Sequence, residues 1–316
     1  MSDKMKAAYY EEFGELNQVK YGELEQPLPA EGEILIKTES AGVNPVDAAV
    51  ARGMLNEVIP AKFPVIPGWD VAGVIEDRGH AARRFEEGDK VYAYARRPVI
   101  QHGTFAEYVA LPESYIAHSP QKLTAKESGG IPLVGLTAYQ SIFETGKLQE
   151  GETILILGAS GGVGTAAIQL AKWKGAEIIG VASESNQQYM KDLGADVTID
   201  YAAGHVGEMV KDIKPGGVDL IFHCSRGDSL SQSADTLKKG GRMISITDSD
   251  PDRRDDILFQ YVFVEPNAGQ QKHLQELADD GKFKMPVSKT FRLKETGTAL
   301  QEIESLHSRG KTVIIP

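Results

Sequence analysis

The feature that most constrains this chain is segment 153–164, an apolar run rich in Ile and Leu that enters a glycine-rich turn. A helix-compatible segment, TAAIQLAKWKG, follows at once. Gly161 and Gly162 lack a Cβ, so the chain can turn sharply and a diphosphate can approach the main chain, while Gly164 lets the helix pack against the strand. The helix start adds free N–H groups and a partial positive charge. This order of strand, turn and helix predicts a dinucleotide site.

Strand-like and helix-like segments alternate from residue 153 onward. The strand-like segments are 153–158, 177–182, 196–199, 218–222, 241–246 and 257–265. The helix-like segments are 163–174, 185–193, 204–213 and 228–237, and a closing helix is expected within 265–283. This alternation predicts an α/β fold with a doubly wound parallel sheet and right-handed crossovers, the Rossmann arrangement.

The first part of the chain, residues 1–118, has a different pattern. Short strand-like segments such as GEILIKTESAGV and DVAGVIEDRG are separated by turns rich in Pro and Gly, which is typical of a small, partly open β-barrel. The C-terminal segments KTFRL and GKTVIIP are again strand-like, and we expect them to return to this barrel. We therefore predict a barrel domain of residues 1–119 and 283–316, interrupted by a dinucleotide-binding domain of residues 120–282.

Composition and charge limit the partners of the chain. Its 316 residues carry a net charge of −11, which argues against nucleic acid because phosphate contacts need clustered Lys and Arg. The N-terminal segment MSDKMKAAYYEEFGELNQ lacks the apolar core of a signal peptide, and no apolar run approaches the ~18–20 residues of a membrane span. Cys224, the single cysteine of the sequence, fits a reducing compartment. We expect a cytoplasmic protein with a small-molecule partner.

Several sequence motifs occur in the order found in one known family. They are AGVNPVD (41–47), IPGWDVAGVI (66–75), EEGDKV (86–91), GTFAEYV (103–109), GLTAYQSI (135–142), ILGASGGVGTAAIQLAKWKGA (156–176), LGADVTIDY (193–201), LKKGGRMI (237–244) and RGKTVIIP (309–316). Together they resemble the zinc-independent quinone oxidoreductase and enone reductase branch of the medium-chain dehydrogenase/reductase superfamily. The resemblance implies a GroES-like catalytic domain around a Rossmann domain. It also implies hydride transfer from a nicotinamide to a quinone or an α,β-unsaturated carbonyl compound.

Zinc-dependent members of this superfamily carry metal ligands at positions that hold other residues here. The resemblance places the segment 42–45, GVNP, in the region where those enzymes have a Cys ligand, and this segment contains no Cys; it places Trp69 where they have the His of a His–Glu pair. With one cysteine in the sequence, a structural site of four cysteines is impossible. His223 and Cys224 are neighbours at the end of an expected strand, where their side chains point to opposite faces. We therefore predict no zinc, and simple alcohol oxidation would then lack its Lewis acid.

The end of the second Rossmann strand indicates NADPH rather than NADH. Sites that prefer NAD usually place a carboxylate there to bind the ribose 2′-hydroxyl, but this position falls near Val181. The next turn offers hydroxyl and amide donors, although the charge of Glu184 would repel a phosphate if it pointed inward. The resemblance implies that Ser183, Asn186 and Tyr201 hold the 2′-phosphate. For Tyr201 the alternative is a packed ring after the third strand.

The resemblance also implies contacts along the rest of the cofactor. Asn44 and Thr137 are expected at the nicotinamide end. The other expected contacts are Ser160, Gly161, Gly162 and Val163 at the diphosphate, Thr247 and Phe263 along the cofactor groove, and Arg309, Gly310 and Lys311 near the phosphates. For the last three residues, a simple turn before the final strand is the alternative interpretation.

The NPVD motif and its surroundings offer few catalytic groups. Reduction of a quinone or an enone needs a hydride aimed at an electrophilic carbon and a group that stabilises the developing negative charge. Enoyl-thioester reductases of the superfamily carry a Tyr acid shortly after this motif, but the corresponding stretch here is RGMLN (52–56). We predict Asn44 as the catalytic residue, in a positioning role. Asp47 is expected to hold the loop in shape, and no side chain is predicted to be the general acid.

Two other functions are consistent with parts of this pattern. A non-catalytic NADPH-binding redox sensor or scaffold would account for the missing acid. An alcohol dehydrogenase with an unusual metal would keep the same fold. The reductase accounts for the whole series of motifs, and we take it as the leading hypothesis.

The strand-like segment 257–265 also predicts assembly. Ile257, Phe259, Tyr261 and Phe263 alternate with Leu258, Gln260 and Val262. An edge strand of this kind invites pairing with a second copy of the chain, so we predict a homodimer.

Overall fold

The computed structural model describes residues 3–248, 257–305 and 309–316. Within these residues the strands are β1 (Lys4–Tyr9), β2 (Lys20–Glu25), β3 (Glu33–Val43), β4 (Ala61–Ile66), β5 (Asp70–Arg78), β6 (Lys90–Tyr94), β7 (Ile100–His102), β8 (Tyr108–Pro112), β9 (Ile116–His118), β10 (Thr153–Leu157), β11 (Glu177–Ala182), β12 (Val197–Asp200), β13 (Val218–His223), β14 (Leu237–Ser245), β15 (Leu258–Tyr261), β16 (Val287–Arg292) and β17 (Lys311–Ile315). The α-helices are α1 (Pro45–Ala51), α2 (Ala125–Gly129), α3 (Pro132–Tyr139), α4 (Gly162–Lys174), α5 (Gln187–Leu193), α6 (Val206–Ile213), α7 (Ser229–Ser233), α8 (Ala268–Asp279) and α9 (Thr296–Glu304). None of these helices is both long and apolar enough to cross a membrane.

The chain forms two units, Met1–Leu136 with Glu265–Pro316, and Thr137–Val264. In the first unit β16, β17, β3, β5, β6 and β9 follow one another in one sheet, and β8 joins it by pairing with β3. Two small sheets, β1 with β2 and β4 with β7, complete the strands of this unit. Because β16 and β9 end the large sheet without pairing with each other in the described chain, the prediction of a partly open barrel is confirmed.

Strand β3 organises the first unit. It pairs in antiparallel fashion with β5, β8 and β17, and its apolar residues Ile34, Leu35 and Ile36 are buried. The pairing of Thr312 with Val43 brings the C-terminal strand back to the start of α1, as the sequence predicted. This register places the beginning of β17 beside the NPVD motif.

The second unit contains a six-stranded sheet in the order β12-β11-β10-β13-β14-β15, in which all neighbours are parallel. All residues of β10 are buried, as expected for a central strand covered on both faces. The chain continues to one side of β10 for β11 and β12, and to the other side for β13 to β15. The carboxyl end of β10 is therefore the switch point at which such sheets bind ligands. The doubly wound Rossmann prediction is confirmed.

The unit boundaries differ from the domain boundaries expected from the sequence. Segments 120–136 and 265–282 belong to the first unit, whereas the expected dinucleotide-binding domain was 120–282. Helix α8 shows the reason, because the Tyr92 hydroxyl donates to the Gln271 carbonyl and the Gln271 amide donates to the Tyr115 carbonyl. A helix that follows the last Rossmann strand along the chain can pack elsewhere, and the alternation of strands and helices does not specify this.

The last Rossmann strand is shorter than the expected segment 257–265, since β15 covers Leu258–Tyr261. It pairs with β14 from Arg242 opposite Leu258 to Ser245 opposite Tyr261. Ile257 and Phe259 pack against the hydrophobic core of the second unit, while the side chains of Leu258 and Tyr261 are exposed.

Candidate functional site

The turn after β10 lies at the switch point of the Rossmann sheet. Gly158 has a φ of +88°, a conformation that favours glycine. The N–H groups of Gly158 and Ala159 donate to the Val181 carbonyl at 3.1 and 3.0 Å. A Cβ on Gly158 would lie 2.9 Å from the Cys224 carbonyl oxygen. The turn is therefore held between the carboxyl ends of β11 and β13.

Helix α4 begins at Gly162 directly after this turn, with Gly161 as its N-cap. A Cβ on Gly164 would approach the Gly158 carbonyl oxygen to 2.4 Å and the Ala159 Cα to 2.5 Å, so the close packing of helix and turn requires glycine here. Gly161 has a φ of −72°, and a Cβ there would meet the Gly158 carbonyl oxygen at 3.6 Å, an ordinary contact. The sharp turn expected at Gly161 and Gly162 is thus made by Gly158, which sequence reasoning missed.

The beginning of α4 suits a diphosphate. The first N–H groups of a helix have no partner within the helix, and the helix dipole favours an anion beside them. The turn residues expected at the diphosphate are each partly exposed, namely Ser160, Gly161, Gly162 and Val163. Since no side chain occupies the space beside Gly161, the residues present fit the diphosphate of a dinucleotide.

The structure brings Ser183, Asn186 and Tyr201 together at the carboxyl ends of β11 and β12. The Asn186 Nδ2 donates to Ser183 Oγ at 2.9 Å, and the Tyr201 N–H donates to the Ala182 carbonyl at 3.3 Å. Tyr201 is 55% exposed, which excludes the alternative of a packed ring. Glu184 is exposed, and β11 ends at Ala182 rather than at a carboxylate. A hydroxyl, an amide and a phenol are therefore available beside the diphosphate turn.

His223 is the last residue of β13, and Thr247 follows the neighbouring strand β14. Thr247 Oγ1 donates to the Ser225 carbonyl at 2.8 Å and lies 3.2 Å from His223 Nδ1. Burial lowers the pKa of His223 to about 4, and its Nε2 has no hydrogen-bond partner in the described part of the chain. Burial also raises the pKa of the Cys224 thiol to about 12. The ring and the thiol are both neutral at neutral pH.

Two further expected cofactor residues lie in the second unit. Thr137 is buried on α3, and Phe263 is half-buried after β15. Their contacts with a cofactor stay predictions.

A buried polar network occupies the first unit where β17 meets the NPVD motif. Lys311 Nζ donates to the Val43 carbonyl at 2.9 Å and to Asn44 Oδ1 at 2.6 Å, and it lies 3.6 Å from Asp70 Oδ2. Asn44 Nδ2 donates to Asp70 Oδ2 at 2.8 Å, and the Leu133 N–H donates to Asp70 Oδ1 at 2.7 Å. Asn44 and Asp70 have no exposed surface, and Lys311 is 3% exposed. The polar groups of these three buried side chains therefore find their partners in one another.

This network places the Lys311 side chain inside the first unit, and its expected contact with the cofactor phosphates stays a prediction. Its ammonium group is buried inside the first unit and is directed at three oxygen atoms there. Burial raises the pKa of Asp70 and lowers that of Lys311, while the attraction between the two groups opposes both shifts. The sequence did carry a signal for this pair. A lone acid in IPGWDVAGVI and a lone Lys before VIIP must find partners if those strands are buried.

Asp47, on the first turn of α1, is a further buried acid beside this network. Its Oδ2 accepts the Asn44 N–H at 2.8 Å, in agreement with the expected role of holding the loop. Asp47 is 1% exposed, and its Oδ1 lacks a hydrogen-bond partner among the described residues. Burial raises the pKa of Asp47 to about 8; the Asn44 N–H opposes this shift and repulsion from Asp70 adds to it.

A small cavity in the first unit borders Asp47. Trp69, Arg97, Gln101 and His102 also line it. Its volume of about 10 Å³ corresponds to roughly one water site. Trp69 packs its ring edge-to-face with a buried tyrosine of β6, so the indole forms a fixed wall. In the described ranges, no group of three or more His, Cys, Asp or Glu side chains is arranged to hold a metal ion.

Comparison with known proteins assigns both units to described families. Residues 30–121 match the alcohol dehydrogenase GroES-like domain, and residues 162–263 match the zinc-binding dehydrogenase family. The chloroplastic quinone-oxidoreductase QR1 of Triphysaria versicolor is 31% identical, over 99% of this chain and 98% of that protein. The chloroplastic NADPH-dependent alkenal/one oxidoreductase of Arabidopsis thaliana is 30% identical, over 99% of this chain and 80% of that protein.

Solved structures show the same fold over the full length. The quinone oxidoreductase from Coxiella burnetii superimposes with a TM-score of 0.87 at 29% identity, covering 99% of this chain and all of that chain.

Proposed function

Since this chain belongs to the medium-chain dehydrogenase/reductase superfamily and to its quinone and enone reductase branch, we propose that it reduces quinones or α,β-unsaturated carbonyl compounds with NADPH and without zinc. The family supplies the general activity, which is that of an oxidoreductase with a nicotinamide cofactor and a small-molecule substrate. The preference for NADPH, the independence from zinc and the substrate class are our proposal.

The observation that carries the proposal is the position of the Lys311 ammonium group. It is bound by Asn44 Oδ1 and lies beside Asp70, in the two motifs where zinc-dependent members of the superfamily carry their ligands. A cation here repels a second cation, and the indole of Trp69 offers no lone pair to a metal. A conjugated acceptor suits such a site, because the charge that develops on it is delocalised over the conjugated system.

The second unit offers the groups that NADPH requires. The glycine turn and the start of α4 would hold the diphosphate, and Ser183, Asn186 and Tyr201 would donate to the 2′-phosphate. When bound, the reduced nicotinamide supplies the hydride. In the first unit, Asn44 is fixed by Lys311 and Asp70, which supports its predicted role as a positioning residue.

A calorimetric titration of NADPH and NADH tests the cofactor assignment. We expect tighter binding of NADPH, and a loss of roughly 10- to 100-fold in NADPH affinity on Ser183→Ala with no change for NADH, because a hydrogen bond to a charged group is lost. Ser231→Ala, which alters an exposed serine of α7, is the control. Equal affinity of the wild type for both nucleotides would contradict the assignment.

A substrate screen tests the reaction. Purified protein should oxidise NADPH when given naphthoquinones or small enones, and elemental analysis should find no bound zinc. Tight NADPH binding without turnover over the whole panel would favour the non-catalytic sensor or scaffold instead.

We also propose a homodimer formed through β15 and a cytoplasmic location. The exposed side chains of Leu258 and Tyr261 on β15 support the dimer, and the presence of a single cysteine, Cys224, supports a reducing compartment.

A further inference from the structure

We propose that Asp47 is the proton donor of the reaction and passes a proton from its Oδ1 to the reduced substrate, directly or through one water in the cavity that it lines. This inference rests on the proposed function, because it supplies the proton that must follow hydride transfer to an enone or a quinone.

The two oxygen atoms of Asp47 have different environments. Oδ2 accepts the Asn44 N–H at 2.8 Å and so fixes the carboxyl group to the start of α1. Oδ1 is buried and finds no partner within the described chain. Buried polar atoms without partners are uncommon in folded proteins, and they point to a role such as catalysis or water binding. Because Asp47 also lines the cavity, this oxygen is the one available for proton transfer.

Burial is the main reason that Asp47 keeps a proton at neutral pH. Burial and the neighbouring Asp70 carboxyl raise its pKa to about 8, while the Asn44 N–H and the more distant Lys311 ammonium oppose this shift. On the cavity wall, the Arg97 guanidinium is paired with the Glu33 carboxylate. A carboxylic acid with a pKa near the working pH is well matched to general acid catalysis.

The other titratable groups nearby are poorer donors. Burial raises the pKa values of the Tyr10 and Tyr94 hydroxyls above that of an ordinary tyrosine, so these phenols hold their protons too tightly. Burial, Arg97 and Lys62 lower the pKa of His102, which leaves that ring neutral at neutral pH. Asp47 is therefore the acid that these surroundings favour.

An enone gains one hydride and one proton in the proposed step. The β-carbon accepts a hydride from the reduced nicotinamide, and the electrons of the former C–C double bond form a double bond between the α-carbon and the carbonyl carbon. The π electrons of the carbonyl group then lie on its oxygen, as an enolate. The O–H bond of Asp47 then breaks, and its proton forms a C–H bond at the α-carbon as the carbonyl is restored. The Asp47 carboxylate regains a proton from water. With a quinone, the same hydride and proton yield the hydroquinone.

The substitution Asp47→Asn removes the proposed proton donor while keeping the hydrogen bond that holds the loop. An Asn amide oxygen can still accept the Asn44 N–H, but the side chain cannot supply a proton. Glu127→Gln is the matched control, because Glu127 stands at the same position of α2 and its carboxylate accepts the Thr124 N–H at 2.8 Å on the surface.

Two measurements test the proposal. Infrared difference spectra of the nucleotide-free protein, wild type minus Asp47→Asn, should show a carboxylic acid band at pH 6 that disappears with a midpoint of about 8. With NADPH and a small enone, kcat should fall roughly 100- to 10,000-fold in Asp47→Asn, and the decline of wild-type activity above pH 8 should be absent. Glu127→Gln should match the wild type in both measurements.

The outcomes separate this proposal from the proposed function. If the wild type reduces enones and Asp47→Asn keeps both its rate and its alkaline decline, the role of Asp47 is overturned and the proposed function stands. If the wild type reduces neither enones nor quinones, both are overturned. If Asp47→Asn does not fold, the wild-type spectrum decides, since the lack of any carboxylic acid band at pH 7 would overturn the proposal.

Discussion

Lys311, the first residue of β17, is buried beside the end of β3 and determines which polar groups of the first unit are paired. The Lys311 ammonium group is tolerated there because Val43, Asn44 and Asp70 surround it with oxygen atoms. Ionised groups of this kind are costly to bury, and removing one partner leaves the other uncompensated. The same contacts hold the Asn44 side chain in one orientation and so support its predicted positioning role.

Lys311→Met should therefore destabilise the protein strongly. We expect a loss of about 3–5 kcal/mol in the free energy of unfolding, because the Asp70 carboxyl is left buried without its cation. Adding Asp70→Asn should recover part of the loss. Lys289→Met is the control, since the Lys289–Glu302 ion pair is exposed and is worth about 0–1 kcal/mol. Urea unfolding measures all three variants, and similar losses for Lys311→Met and Lys289→Met would contradict the role of the network.

At the scale of elements, the turn between β10 and α4 combines two kinds of glycine. Gly158 and Gly164 are required by the packing of the turn itself, through a left-handed backbone and a helix that approaches the turn closely. Gly161 has an ordinary backbone conformation and space around its Cα, so its lack of a side chain is not explained by the packing of the turn. The two kinds should respond differently to the same substitution.

Gly164→Ala should lower the free energy of unfolding by about 1–3 kcal/mol and weaken NADPH binding, because the added Cβ forces helix and turn apart. Gly161→Ala should leave the stability within about 0.5 kcal/mol of the wild type and still weaken NADPH binding at least about tenfold, through steric exclusion of the diphosphate. Thermal unfolding and calorimetric titration give the two quantities. Unchanged NADPH affinity in Gly161→Ala would show that the diphosphate binds elsewhere.

On the scale of the whole molecule, the two units are organised by different kinds of strand pairing. The parallel second unit follows from alternating strands and crossover helices, whereas the first unit is joined by antiparallel pairing between β3 and the C-terminal strand β17. The sheet of the second unit ends at β15, whose Leu258 and Tyr261 side chains are 55% and 43% exposed. Exposed apolar side chains on an edge strand favour association.

Light scattering at micromolar concentration should therefore give twice the chain mass of 34.3 kDa for the wild type. Leu258→Lys combined with Tyr261→Lys should give the mass of a single chain, because charged residues on an edge strand oppose pairing. Leu28→Lys replaces a leucine that is 79% exposed outside the described strands and should not change the mass. A wild-type mass of one chain would refute the dimer.

Local patterns in the chain were sufficient to predict the Rossmann sheet and the glycine-rich turn at its switch point. Apolar runs, helical segments and glycines act over a few residues, so their order alone predicts β10, the turn and α4. The family resemblance grouped Ser183, Asn186 and Tyr201, and the structure places them at the carboxyl ends of the adjacent strands β11 and β12.

The pairing of strands that are distant in the chain decided how the charged side chains of the first unit are buried. Lys311 meets Asn44 and Asp70 only because β17 pairs with β3, and the residues next to Lys311 in the chain do not specify which distant oxygen atoms surround it. The free Oδ1 of Asp47 likewise exists only once surrounding segments exclude water from it. Short motifs encode local backbone geometry, whereas the burial and pairing of charges depend on which distant strands the tertiary structure brings together.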